Sequence, residues 1–278
     1  MKAIRCATII VCLMSAEAAA FDYQTGRGVG LGGGILLSKS SASALVTLPS
    51  GGIDSGEIKV EMGLGRKFEM KELDQAFVAA AYRYRDVVVA LGVAQFGHRD
   101  FYAERTAKLN VAYSIRRIWV GASVSGIMVD ISQGYGQLRA AALGLGLAAR
   151  TKRVVGAIVG DNLNSPALYS GGLPLKPRYS GFLEYAGSGS FLTVGRATFE
   201  AEQKPQFALG QFLQISKKAA LFWGFATAPT LYGGGLEVNH KRAVISYAGQ
   251  FHPVLGFTHQ ISLSYAFGGP ATKQEEVF

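Results

Sequence analysis

The chain has 278 residues, 49% of them hydrophobic and 17% charged, with 36 glycines and a formal net charge of +9. That length suits one large domain, and the balance is too apolar for an ordinary soluble one. Beyond the N-terminal segment no uncharged apolar stretch reaches the roughly 18 residues of a membrane-spanning helix, so apolar residues are interleaved with small and polar ones.

Residues 1–20 read as a signal peptide: Lys2 and Arg5 supply the positive start, Ala7 to Met14 the short apolar run, and Ala18-Ala19-Ala20 the small residues of a cleavage site. Cleavage there makes Phe21 the first mature residue. It also removes both cysteines, Cys6 and Cys12, and with them any disulfide, thiol nucleophile or thiolate metal site. Export argues against nucleic acid as the partner of a basic chain. A basic lumen, or basic rims meeting anionic lipid head groups, fits better.

Residues 21–56 are rich in small residues and lack a clean period, which predicts a luminal plug or a short helical lead-in. From Glu57 the period becomes two. Ile261, Leu263, Tyr265 and Phe267 share one face against Ser262, Ser264 and Ala266. Val87, Val89, Leu91 and Val93 oppose Val88, Ala90, Gly92 and Ala94, and Leu109, Val111 and Tyr113 oppose Lys108, Asn110 and Ala112. Large apolar residues on one face and small or mildly polar ones on the other describe strands with a lipid face and a lumen face. About fourteen such runs, each near the ten residues a tilted strand needs, fill 57–268. Tyr82, Tyr84, Tyr113, Tyr265 and Phe267 lie near run ends, where interfacial girdles sit.

Short turns are expected at Arg85-Asp86, Arg116-Arg117, Thr151-Lys152, Lys217-Lys218 and Lys241-Arg242, and longer links at Gly97 to Arg105 and Asn162 to Arg178. Residues 269–278 form a polar tail. The predicted fold is all-β: a transmembrane antiparallel β-barrel of about 14 strands with a glycine-rich N-terminal luminal segment, in the bacterial outer membrane.

Three stretches carry a resemblance. The glycine-rich lead-in runs into Ala42-Ser43-Ala44-Leu45 and then Leu48-Pro49-Ser50-Gly51. Val159-Gly160-Asp161-Asn162-Leu163-Asn164 is followed by Leu173-Pro174 and Arg178-Tyr179-Ser180-Gly181. His252-Pro253-Val254-Leu255-Gly256-Phe257 enters the last strand, which resembles the aromatic-ended signal recognised by the barrel-assembly machinery. Together they resemble the opening, middle and closing hairpin of PorV/PorQ-type outer-membrane proteins of the FadL-like superfamily. The FadL side of that resemblance implies passage of hydrophobic compounds. The PorV side implies a type IX secretion accessory, or a barrel that anchors surface proteins.

Gly28, Gly30 and Gly33 complete a G-x-G-x-x-G spacing with Asp54 further on, but no strand precedes them, as a dinucleotide site would require. Packing of the plug in the lumen accounts for them, together with Pro49. His252 and His259 flank a turn without a nearby thiol or carboxylate, a weak basis for a metal site. No G-x-S-x-G occurs, and the chain is expected to be neither an enzyme nor a cofactor protein. Arg83, Lys108, Arg139, Arg196, Glu237 and Asn239 are the candidates for luminal polar or gating residues. Gly92, Gly121, Gly144, Gly146 and Gly210 are expected to leave room for a slim apolar ligand. The expected partners are outer-membrane lipid, a hydrophobic ligand, the barrel-assembly machinery and, under the second reading, a secretion-system protein.

Overall fold

The period-two runs become fourteen antiparallel strands in a computed structural model that describes residues 23, 25–39, 41–48, 55–98, 100–132, 136–169, 174–187 and 190–268. The expected signal peptide, Pro49, Asp54 and the tail at 269–278 lie outside the described residues. The strands are β1 (Glu57–Arg66), β2 (Asp74–Tyr84), β3 (Val87–His98), β4 (Tyr102–Ile115), β5 (Ile118–Ile131), β6 (Gly136–Arg150) and β7 (Val154–Asp161). They continue as β8 (Arg178–Ala186), β9 (Phe191–Glu200), β10 (Gln206–Ser216), β11 (Ala219–Ala226), β12 (Leu231–His240), β13 (Ala243–His252) and β14 (Gly256–Gly268). Each pairs with its sequence neighbours, and β1 closes on β14 from Glu57 opposite Gly268 to Arg66 opposite His259. Closure satisfies the ladder hydrogen bonds that an open sheet would leave at its edges.

The alternation decides which side chains face out. In β3, Val89, Leu91 and Val93 are 40%, 52% and 53% exposed, while Val88, Ala90 and Ala94 are buried. The same inversion holds in β14, where Ile261, Leu263, Tyr265 and Phe267 are exposed and Ser262 is buried. An outer face of large apolar side chains suits a hydrocarbon surround and not water.

Two-residue turns at Arg85-Asp86, Arg116-Arg117, Lys217-Lys218 and Lys241-Arg242, and a three-residue one over 151–153, lie on one rim. The other rim carries the longer links, among them 162–177 and the segment 67–73 with its two 3-10 turns. One expected link is much shorter than the sequence suggested. β3 runs through His98 and β4 starts at Tyr102, leaving 99–101 between them. Gly97 permits this tight closure: it sits at φ +84, and a Cβ there would lie 2.2 Å from the Tyr102 carbonyl oxygen.

The described residues between 23 and 48 fold inside the barrel. They form two short helices, α1 (Gly26–Gly30) and α2 (Ala42–Thr47), joined by an irregular segment. Each helix has a side-chain cap: Thr25 Oγ1 accepts from the Gly28 N–H at 2.9 Å, and Ser41 Oγ from that of Ala44 at 3.4 Å. Helices of one or two turns are not stable alone, so wall contacts must hold them. Tyr23, Leu45 and Val46 pack on Phe77, Ala81 and Ala90. Val29, Leu31 and Leu36 pack on Val194, Phe212 and Phe222. Leu37 and Leu48 pack on Trp119, Val155 and Phe182. The plug thus touches three sectors of the wall, and each fully buried leucine contributes about 2 kcal/mol.

Candidate functional site

Besides apolar packing, the plug is fixed by hydrogen bonds from inward-facing side chains of the wall. Glu184 Oε2 accepts from the N–H groups of Leu37 at 2.7 Å and Ser38 at 3.2 Å. Glu61 Oε2 accepts from the Ser43 N–H at 3.1 Å and its hydroxyl at 2.6 Å. Asn110 donates to the Leu45 carbonyl at 2.6 Å, and Gln250 to that of Val29 at 3.2 Å. Tyr23 donates its hydroxyl to the Gly92 carbonyl in the wall at 2.9 Å. Arg27 donates Nε to Glu237 Oε2 at 2.8 Å, in an ion pair whose carboxylate is buried. Lys39 donates to Gln214 Oε1 at 2.8 Å and lies 4.8 Å from the centre of the Phe212 ring. Burial, and then the neighbouring Arg27 charge, hold the Lys39 amine below its ordinary pKa.

The predicted polar residues divide by position. Glu237 holds the plug directly. Lys108 faces inward and pairs with Asp161 at 2.7 Å, which also lies 3.7 Å from Arg178. Arg196 faces inward with its guanidinium against the plug, where a Cβ added at Gly33 would meet its Cζ at 2.8 Å. Arg83 and Asn239 lie on inward-facing positions at the short-turn rim. Arg83 Nε donates to the Arg85 carbonyl at 2.8 Å, and the Asn239 backbone N–H to that of Lys218 at 2.8 Å. Arg139 departs from the expectation. In β6 the buried positions Ala142 and Ala148 are even-numbered, so Arg139 faces outward, where it is exposed and donates Nε to Gln137 at 3.0 Å.

The plug glycines have packing roles. Gly28 supplies the capped N–H, Gly33 takes φ +90 beside Arg196, and a Cβ at Gly30 would lie 2.3 Å from Phe222 Cε2. Of the wall glycines expected to leave room for a ligand, Gly92 and Gly210 make room for the plug, whereas a Cβ at Gly144 would meet Ser123 Oγ of the wall at 2.6 Å. A Cβ at Gly92 would meet the Tyr23 ring at 2.6 Å, and one at Gly210 would meet Leu31 at 2.9 Å. His252 and His259 are not brought together: they fall on opposite faces of the wall. The His252 Nδ1 accepts from the Val254 and Leu255 N–H groups at 3.1 Å each, and His259 hydrogen-bonds the Tyr247 hydroxyl at 2.8 Å.

Arg27, Glu61, Asn110, Arg178, Glu184 and Gln250 were not singled out from the sequence. For Glu61, Asn110, Glu184 and Gln250 the signal was available in the strands: a carboxylate or amide on the small-residue face of an otherwise apolar strand has to meet a partner inside the barrel.

Between the plug and the wall lies a cavity of about 150 Å³. Its lining mixes apolar Ile35, Val159 and Phe182 with polar Arg178, Ser180 and Arg196. Gln203, Thr227 and Pro229, from the longer links, also line it, so it faces the long-link rim.

No protein-family model matches the chain, and no curated protein matches it in sequence. Solved structures do. A TodX monoaromatic hydrocarbon channel in a deltaS2 mutant is similar with a TM-score of 0.63 at 9% identity, over 88% of this chain and 98% of that one. The CymD monoaromatic hydrocarbon channel is similar with a TM-score of 0.59 at 13% identity, over 88% and 97%. The Acinetobacter baumannii outer membrane protein Omp33 gives 0.52 at 10% identity, over 76% and 98%. At these identities the likeness is one of architecture, and the fold of this chain is that of an outer-membrane β-barrel.

Proposed function

We propose that this barrel binds or passes small hydrophobic molecules across the outer membrane, with residues 23–48 as the gate. The observation that carries the reading is the seated plug with a cavity of about 150 Å³ on its long-link side. A solid lumen would offer no binding site, and an empty one of fourteen strands would pass any small solute. The likeness to two monoaromatic hydrocarbon channels over 88% of the chain supports the same class of cargo. The mixed lining favours a ligand with a slim apolar body and one polar group, the body against Val159 and Phe182 and the polar end toward Arg178 or Arg196.

Native mass spectrometry of the protein extracted gently from its own membrane tests the reading. A co-purifying lipophile is the expected result and identifies the substrate class. A stoichiometric protein partner with no small ligand replaces the reading with the PorV-like alternative, a secretion accessory or anchoring barrel.

A further inference from the structure

We propose that the short-turn rim is a cationic collar that binds the phosphates of anionic phospholipids in the periplasmic leaflet. In outer-membrane barrels the short turns face the periplasm. Each of the short turns Arg85-Asp86, Arg116-Arg117, 151–153, Lys217-Lys218 and Lys241-Arg242 carries a cation, and Asp86 is their only carboxylate. Across the barrel the link at 67–73 balances Lys67 and Lys71 against Glu69 and Glu72, and the link at 201–205 balances Lys204 against Glu202. Nearly all of the formal net charge of +9 therefore sits at one rim. Among the described residues, none of these turn cations takes part in an ion pair.

Arg85, Arg116 and Lys241 take φ of 54°, 57° and 54°, the left-handed region that glycine occupies at least cost. Glycine fits these three positions at least as well, so the cations there can be removed without backbone strain. Depth supplies the occupant. Tyr84, Tyr113 and Tyr265 form an outward aromatic belt immediately above these turns: Tyr84 adjoins Arg85, and Tyr265 pairs across the ladder with Ala243, next to Arg242. Arg85 lies 5.3 Å from the Tyr84 ring centre. Cations just beyond an aromatic belt stand at the level of lipid phosphates.

The collar does not depend on what the lumen carries, so its test is separate. Folded barrel in neutral detergent is titrated with dioleoyl-phosphatidylglycerol, with phosphatidylcholine of the same chains, and with lipopolysaccharide, and bound lipid is counted by native mass spectrometry. The comparison protein is the triple variant Arg85→Gly, Arg116→Gly, Lys241→Gly, which relieves the left-handed positions and so keeps its fold, checked by heat-modifiable gel migration. The expected result is preferential retention of phosphatidylglycerol, weakened on the order of tenfold or more in the variant. Equal retention of both phospholipids, or retention unchanged in the variant, overturns the proposal. So does rim-dependent binding of lipopolysaccharide alone, which would place this rim in the outer leaflet. Rim-dependent retention of an acidic protein without a phosphatidylglycerol preference overturns it in favour of a protein partner.

Discussion

Arg27 and Glu237 form a largely buried ion pair between plug and wall, with Lys39 as a second cation nearby. Glu237→Gln keeps the shape but leaves two neighbouring cations without that carboxylate. Removing one partner of a buried pair costs about 3 kcal/mol, here charged to plug seating rather than to the barrel. The variant should show larger or more frequent openings in planar bilayers while still migrating as a folded barrel. The double variant Arg27→Met, Glu237→Met replaces the pair with apolar side chains and should return the conductance toward that of the parent. If the single variant conducts like the parent, the pair does not hold the gate. Gly30 tests the same seat by sterics. The Cβ of Gly30→Ala would meet the buried Phe222 ring at 2.3 Å, an overpacking cost of about 1–3 kcal/mol. Trypsin should then cut the plug at Arg27 or Lys39 faster than in the parent, and Phe222→Leu added to the variant should slow the cut again.

At the level of elements, the strands could be read from the sequence because each has enough residues to show a period. Val87 to Ala94 and Gln260 to Phe267 alternate without a break, and their faces in the structure are those the alternation implies. Helices of five and six residues are too short to show a 3.6 period, so α1 and α2 were not distinguishable from coil. The small-residue face of the strands was recognised as a lumen. The luminal segment was expected too, but which wall residues it meets could not be read, because Gly92 and Gly210 look alike in sequence whether a ligand or Tyr23 and Leu31 lie against them. Arg139 was legible: its parity relative to Gly144 and Gly146 already placed it outward. The link at 162–177 shows how a loop completes a wall. β7 covers β6 only from Leu145 to Arg150. Above that, Leu163 donates its N–H to the Leu143 carbonyl at 2.9 Å. The Asn164 side chain accepts from the Leu143 N–H at 2.9 Å and donates to the Ala141 carbonyl at 2.8 Å. Asn164→Ala leaves two ladder groups to water, a loss of about 1 kcal/mol at this exposed edge. Faster amide exchange confined to Ala141–Leu143 and the link would bear this out, and unchanged protection would count against it.

The whole molecule is inverted relative to a soluble barrel, with its large apolar side chains outside and Glu61, Lys108, Glu184, Glu237 and the plug inside. That inversion makes a depth-dependent prediction. Leu91 lies on the outward face of β3, flanked in the ladder by Ala80 and Leu109, well away from both rims. Tyr84 is also outward, but it adjoins the short turn at the edge of the aromatic belt. An arginine at mid-depth must carry its charge into hydrocarbon, at a cost of about 2–4 kcal/mol. The same arginine near the interface reaches head groups and water and costs about 0–1 kcal/mol. Denaturant titration of Leu91→Arg and Tyr84→Arg in phospholipid vesicles should therefore separate the two variants by on the order of 2 kcal/mol, with Leu91→Arg the weaker. In detergent micelles, which deform around a charge, the gap should narrow. Equal losses at both depths in vesicles would mean that the exposed apolar face does not sit in a bilayer, and the membrane reading of the fold would have to give way to a protein partner covering that face.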